Sequence, residues 1–183
     1  MTPKDYESLA KKAYSVDSNF KDGKVTYKGQ EFNLNGKRWK VLEVEDNQGN
    51  GFQGMAVAPM KDGKPDTSQV VIAYAGTNSS DWRDLAVDGA NVMESIGGLQ
   101  LASANQFAKE IKKSYPNSDI SITGHSLGAF LSLAQGAENH WQTVTFNGPD
   151  PYSVLSPQAK KWVKENPGML TNFLNQVDLV GYG

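Results

Sequence analysis

Three short β-rich runs punctuate the middle of the chain: residues 70–75 (Val-Val-Ile-Ala-Tyr-Ala), 120–123 (Ile-Ser-Ile-Thr) and 143–146 (Thr-Val-Thr-Phe). The first is continuously apolar, as expected for a strand buried on both faces of a sheet. Between the runs lie two segments with helical character. Residues 102–115 put Phe107, Ala108 and Ile111 on one face with lysines opposite, and residues 127–137 form a small-residue stretch able to pack closely on a sheet. Thr2 before Pro3, with acids at Asp5 and Glu7, marks a helix start, after which Tyr6, Leu9, Ala10, Ala13 and Tyr14 share a face. Glycine and asparagine at Gly23, Gly29, Gly36 and residues 47–51 divide the chain after this helix into strand-like pieces. The clearest, residues 39–44 and 52–58, read as antiparallel neighbours. Residues 157–164 predict a short helix and residues 172–177 a last strand. Strands alternating with helices imply an α/β fold, a mostly parallel central sheet flanked by helices on both faces. With 183 residues and no repeat or linker, one domain over residues 1–183 is expected.

Composition narrows the setting more than the chemistry. An apolar content of 38% and a charged content of 21% are ordinary for a globular chain, and a net charge of −2 gives no reason to expect nucleic acid. Without cysteine, disulfides and thiolate metal sites are excluded. No metal-ligand spacing or phosphate-binding glycine loop occurs, so no cofactor is implied. No stretch approaches the roughly 20 apolar residues that span a bilayer, and residues 1–7 lack the apolar run of a secretory signal. The location stays open between export by a route without a signal peptide and the cytoplasm. Lysine pairs at 11–12, 112–113 and 160–161 fall on predicted helices and read as solvated faces.

Chemistry enters at Gly124-His125-Ser126-Leu127-Gly128, a G-x-S-x-G motif that follows one predicted strand and opens a predicted helix. In that context the serine occupies a sharp strand-to-helix turn that holds its oxygen clear of the sheet and open to substrate. The two glycines let strand and helix cross closely. The turn aims the helix N-terminus at the reaction centre, where the backbone N–H of Leu127 can donate to an oxyanion. Chance Gly/Ser spacing is the competing reading, and the strand before and helix after weigh against it.

Residues 123–129 (Thr-Gly-His-Ser-Leu-Gly-Ala) closely resemble the elbow of class 3 lipases, the fungal lipase-like group of the α/β-hydrolase superfamily, in its bacterial branch. Three further segments agree in order. Residues 70–78, followed by Asp81 and Trp82, are similar to the segment supplying the second oxyanion donor, which falls on Thr77. Residues 144–149 are similar to the strand and turn after the elbow helix. Residues 176–180 resemble the strand end bearing the catalytic acid, which falls on Asp178. Two departures set the chain apart: Ala75 stands where an arginine commonly precedes Gly-Thr, and residues 97–100 (Gly-Gly-Leu-Gln) replace a His-x-Gly-Phe segment. The resemblance implies a three-layer α/β-hydrolase that cleaves carboxylic esters through an acyl-enzyme. Ser126 would attack, the N–H groups of Thr77 and Leu127 would hold the oxyanion, and Asp178 would orient a histidine. Lipid or other esters of acylglycerol or phospholipid type are the implied substrates, with transient contact to a lipid surface. In related lipases the region of residues 87–101 is a lid; a helix packed on the core is the alternative reading, and Asp88, Glu94 and several glycines interrupt its apolar residues.

The general base is missing from this set. A serine hydroxyl is a poor nucleophile at neutral pH without a base in hydrogen-bond reach, and the chain order in this architecture is serine, acid, histidine. The sequence holds two histidines, His125 and His140. His125 lies within the elbow, turned from the serine's exposed side, and reads as a packed motif residue. His140 precedes the third run, at the sheet edge opposite the strand C-termini where such sites form, and reads as a solvated loop residue. Asp150, between Pro149 and Pro151, is the alternative acid, although turn chemistry accounts for it. Three explanations stay open: a continuation beyond Gly183 carries the histidine, a partner chain or domain supplies it, or the domain binds without catalysing. Loss of such a base costs on the order of 10⁶ in kcat. Residues 1–183 alone are therefore expected to hydrolyse p-nitrophenyl esters at near-background rates, with recovery when a downstream segment is supplied. Robust turnover by the purified chain, abolished by Ser126→Ala, overturns the missing-base reading.

Overall fold

A computed structural model describes residues 1–76 and 90–174, with side chains described for all of these except 90–97. Helix α1 (Pro3–Lys12) starts where Thr2 and Asp5 form a capping box: the Thr2 hydroxyl accepts from the Asp5 N–H, and the Asp5 carboxylate accepts from the Thr2 N–H. A 3₁₀ turn (Ala13–Val16) follows. The chain then lays down β1 (Glu31–Leu34), β2 (Lys37–Asn47), β3 (Phe52–Lys61), β4 (Lys64–Pro65) and β5 (Gln69–Ala75). Helix α2 (Ala90–Ser114), β6 (Asp119–His125), α3 (Leu127–Asn139), β7 (Gln142–Phe146), α4 (Pro157–Glu165) and β8 (Leu170–Phe173) complete the described chain.

The strands form one sheet in the order β1-β2-β3-β5-β6-β7-β8, with β4 paired to β3. Pairing is antiparallel from β1 through β3 to β5 and parallel from β5 to β8. The sheet is thus mixed, and the expected parallel arrangement belongs to β5–β8. Residues 35–36 and 48–51 join β1, β2 and β3, whereas a parallel connection needs a crossover of about a dozen residues or more.

Alternation along β5 accounts for its unbroken apolar run. Val70, Ile72 and Tyr74 enter a core with Phe107 and Ile111 of α2 and Phe130 and Leu131 of α3. Val71, Ala73 and Ala75 enter a second core on the opposite face, with Leu9, Ala10 and Ala13 of the N-terminal segment. Helices therefore cover both faces, giving three layers, and α4 packs outside α3 through Ala134, Ala137, Leu155 and Ala159.

Two shifts of predicted boundaries have a clear physical cause. The helix predicted over residues 102–115 begins at Ala90, because Gly97 and Gly98 weaken the helical signal without ending the helix. The last strand lies at Leu170–Phe173 instead of 172–177, its place set by parallel pairing of Leu170 with Thr143 of β7. Residues 175–177 lie outside the described residues. No helix among the described residues is long and apolar enough to cross a membrane.

Asp5 ties α1 to the sheet as well as capping it, since the Lys37 ammonium of β2 lies 3.0 Å from its carboxylate. Burial pushes the Asp5 carboxyl up, but hydrogen bonds from the Thr2 N–H, Lys37 and Asn35 together outweigh that and hold it below the usual carboxylate value. A depressed carboxyl contributes stability above its unfolded pKa, about 3.9 for aspartate, and the contribution is lost as pH falls through the folded value. Asp5→Asn is expected to lower the urea midpoint at neutral pH and to converge with the parent protein in acid, measured by denaturation at both pH values.

Candidate active site

β6 ends at His125 and α3 begins at Leu127, so Ser126 alone makes the turn, with φ 57° and ψ −118°. Such a φ is uncommon for a residue with a side chain, and sparsely populated backbone conformations cost on the order of 1–3 kcal/mol. The glycines of the motif explain why the turn must be so sharp. A Cβ on Gly128 would lie 2.1 Å from the Tyr74 carbonyl oxygen of β5, and one on Gly124 would lie 2.4 Å from the Gly128 carbonyl oxygen. Neighbouring backbone holds Ser126 in place: its N–H donates to the Phe146 carbonyl of β7 at 2.9 Å, and its carbonyl accepts from the Phe130 N–H at 3.2 Å.

The serine side chain behaves unlike an ordinary one at a helix start. Serine there usually accepts a hydrogen bond from the first turn, yet the Ser126 hydroxyl caps nothing. Its Oγ is buried without a hydrogen-bond partner among the described residues, and the residue is 1% exposed. A buried polar group left unpaired costs about 1–3 kcal/mol. The motif predicts an oxygen open to substrate; in the structure it is covered. The turn is packed between the ends of β5 and β7. Gly76, the residue after β5, sits so near the elbow that a Cβ there would come within 2.7 Å of the Leu127 side chain.

Of the other predicted site residues, Leu127 is the first residue of α3, a position whose N–H has no acceptor within the helix. Thr77 and Asp178 lie outside the described residues. His125 is packed, as its position predicted. Its Nδ1 lies 3.0 Å from the Tyr14 hydroxyl, which also donates to the His125 carbonyl at 3.2 Å. His140 adopts φ 60° as the C-cap of α3, is exposed, and stacks on Trp162 with ring centroids 4.7 Å apart. The 13 residues of α3 put it about 20 Å along the helix from Ser126, too far to act as a base there. Asp150 is exposed and accepts from the Tyr152 N–H at 2.9 Å, an ordinary turn contact. Among the described residues, no group of three or more histidine, aspartate or glutamate side chains is arranged to hold a metal ion.

Three contributors carry no signal in the sequence. Tyr14 counts there only as part of an apolar helix face. Asn172 pins the turn after β7, its Oδ1 accepting from the Gly148 N–H at 3.0 Å and its Nδ2 donating to the Gly148 carbonyl at 2.8 Å. Gln100 is fully buried beside Gly76; its Nε2 donates to the Asn50 carbonyl at 2.9 Å, while its Oε1 has no partner among the described residues. No periodicity points to any of these, because each partner is distant in sequence. Within the segment weighed as a lid, residues 87–89 lie outside the described residues and 90–101 form the first part of α2. Gln100 is buried there and Leu101 packs on the core, whereas Leu99 is 72% exposed.

A mixed sheet covered by helices on both faces, with a strand–serine–helix turn at the end of a central parallel strand, is the α/β-hydrolase architecture. The chain is similar in fold to Lip2 lipase from Yarrowia lipolytica, with TM-score 0.57 and 18% identity over 79% of this chain and 58% of that one. It is also similar to MDLA from Penicillium cyclopium, as the N225Q form, with TM-score 0.56 and 15% identity over 94% and 72% of the two chains. Lipase II from Rhizopus niveus gives TM-score 0.52 and 15% identity over 74% and 57%. The chain thus spans less than two thirds of the Yarrowia and Rhizopus lipases. The Tle-like phospholipase domain, a phospholipase-like family, matches residues 5–151, and the chain belongs to that family. No curated protein sequence matches it.

The elbow's packing gives a stability test. Gly128→Ala is expected to destabilise the fold by about 3 kcal/mol or more, since backbone must shift to admit the methyl group. Gly98→Ala, where a Cβ would meet nothing within 4 Å, is expected to stabilise α2 by up to about 1 kcal/mol. Urea denaturation of both variants distinguishes a tight crossing from a general intolerance of substitution.

Proposed function

We propose that this domain hydrolyses carboxylic esters of lipids, of phospholipid or acylglycerol type, through an acyl-enzyme on Ser126. The observation that carries the reading is the serine's place at a strand-to-helix turn, strained at φ 57° and with a hydroxyl that has no hydrogen-bond partner among the described residues. Strain and an orphan polar group both oppose folding, and their coincidence on one residue favours a chemical use over a structural one. Membership of a phospholipase-like family supports a lipid ester as substrate.

Ser126 Oγ attacks the ester carbonyl carbon, and its proton passes to a general base and on to the departing alcohol. Water activated by the same base then releases the acid. The oxyanion is taken by the N–H groups of Leu127 and Thr77, the first at the positive end of α3. Asp178 orients the base. That base is assigned to a histidine outside these 183 residues or on a partner chain, since His140 lies at the far end of α3 and His125 is engaged by Tyr14. The same shortage of histidine favours a second reading, lipid binding without turnover at this site. Because Ser126 is covered, its cover must shift before the serine can reach an ester carbonyl.

A fluorophosphonate probe is expected to label Ser126, identified by peptide mass spectrometry, with faster labelling in detergent micelles and none in Ser126→Ala. Added imidazole, standing in for the absent base, is expected to raise hydrolysis of p-nitrophenyl esters and of phospholipid in micelles by the parent protein above that by Ser126→Ala. Labelling at another residue, or hydrolysis insensitive to Ser126→Ala, defeats the proposal. Vesicle binding with neither labelling nor imidazole rescue supports the second reading.

A further inference from the structure

We infer that Tyr14 is a positioning residue for the nucleophile, holding the strained peptide between His125 and Ser126 from the N-terminal segment; the functional part of this inference rests on the role proposed for Ser126. The peptide in question has two polar ends. Its N–H, on Ser126, donates to the Phe146 carbonyl at 2.9 Å, and its carbonyl, on His125, accepts from the Tyr14 hydroxyl at 3.2 Å. The φ of Ser126 is rotation about the bond that joins this peptide to the Ser126 Cα. Pinning both ends therefore opposes relaxation of the 57° angle toward the negative range that serine prefers.

Tyr14 grips the residue at a second point, its hydroxyl lying 3.0 Å from His125 Nδ1 with the two rings edge to face. A phenol has one hydrogen. When it goes to the carbonyl, Nδ1–H must donate back to the phenolic oxygen, so the two contacts together select the imidazole form protonated at Nδ1.

The platform under Tyr14 is itself anchored. In the 3₁₀ turn the Ser15 hydroxyl bonds to the Lys12 carbonyl and lies 2.6 Å from the Thr26 hydroxyl, and the Thr26 N–H donates to the Ser15 carbonyl at 2.7 Å. Two residues back along β6, the Thr123 hydroxyl donates to the Tyr6 carbonyl at 3.2 Å. One face of the nucleophile-bearing strand, at Thr123 and His125, is thus bonded to the N-terminal segment, a degree of specific polar contact that packing alone does not require.

Tyr14→Phe keeps the ring and deletes only the hydroxyl. Three measurements read it: the imidazole ¹⁵N NMR signals, with His140 as internal reference; amide hydrogen exchange at Ser126; and the rate of fluorophosphonate labelling at Ser126. A displacement of 1 Å can cost about 100-fold in reactivity, so release of one of several restraints is expected to slow labelling by about 10-fold. The His125 signals should shift while those of His140 stay, and the Ser126 amide should exchange about 10-fold faster than in the parent, with the thermal midpoint little changed. A purely structural role moves the midpoint and leaves labelling per folded molecule unaltered, which overturns the inference. Unchanged exchange at the Ser126 amide also overturns it. If the parent protein is not labelled at Ser126, the esterase proposal fails instead, and amide exchange alone then decides whether Tyr14 holds the elbow.

Discussion

α3 approaches β5 so closely that a single methyl group on Gly128 would stand 2.1 Å from the Tyr74 carbonyl oxygen. That approach sets the direction in which α3 leaves the sheet, and its reverse consequence is felt one residue earlier. A strand and a helix this close must be joined by a single residue, and the backbone route that residue takes has positive φ. Ser126 takes it. The fold does not merely tolerate an awkward serine; the tight crossing creates one, at the N-terminus of α3 and the C-terminal end of the central parallel strands.

Strain of this kind survives only where the surroundings over-determine it. Three parts of the molecule do so from different directions: β7 through the Phe146 carbonyl, α3 through the Phe130 N–H, and the N-terminal segment through Tyr14. The capping box at Thr2 and Asp5 is therefore connected to the elbow. It starts α1, α1 leads into the 3₁₀ turn, and the turn carries Tyr14 to His125. A second unpaired oxygen next to the elbow, Gln100 Oε1, lies at Gly76, where β5 ends. Two buried polar atoms without partners among the described residues thus sit where β5 and the elbow meet.

Local signals made much of this legible beforehand. β5 showed itself by six apolar residues in a row because both of its faces are covered, and α1 by Thr2, Pro3 and Asp5 because a helix start needs those groups for its free N–H donors. The elbow could be read from five residues because its requirements are local: small residues where strand and helix cross, and a nucleophile between them. Features set by pairing were harder to place. β8 lies at Leu170–Phe173 because β7 offers a parallel partner there, and α2 extends back to Ala90 through two glycines that lower its helical signal.

What the sequence by itself determined is the set of short-range choices: which segments are helix or strand, where α1 begins, that Ser126 stands at a strand-to-helix turn, and that two histidines are present in these 183 residues. Only the tertiary structure decided that this serine is covered, that its hydroxyl has no partner among the described residues, and that Tyr14 grips the residue before it. The division is physical. Propensity, capping and hydrophobic period act over a few residues and are written in order along the chain. Burial and hydrogen bonding between Tyr14 and His125, 111 positions apart, exist only once the sheet has brought distant segments together.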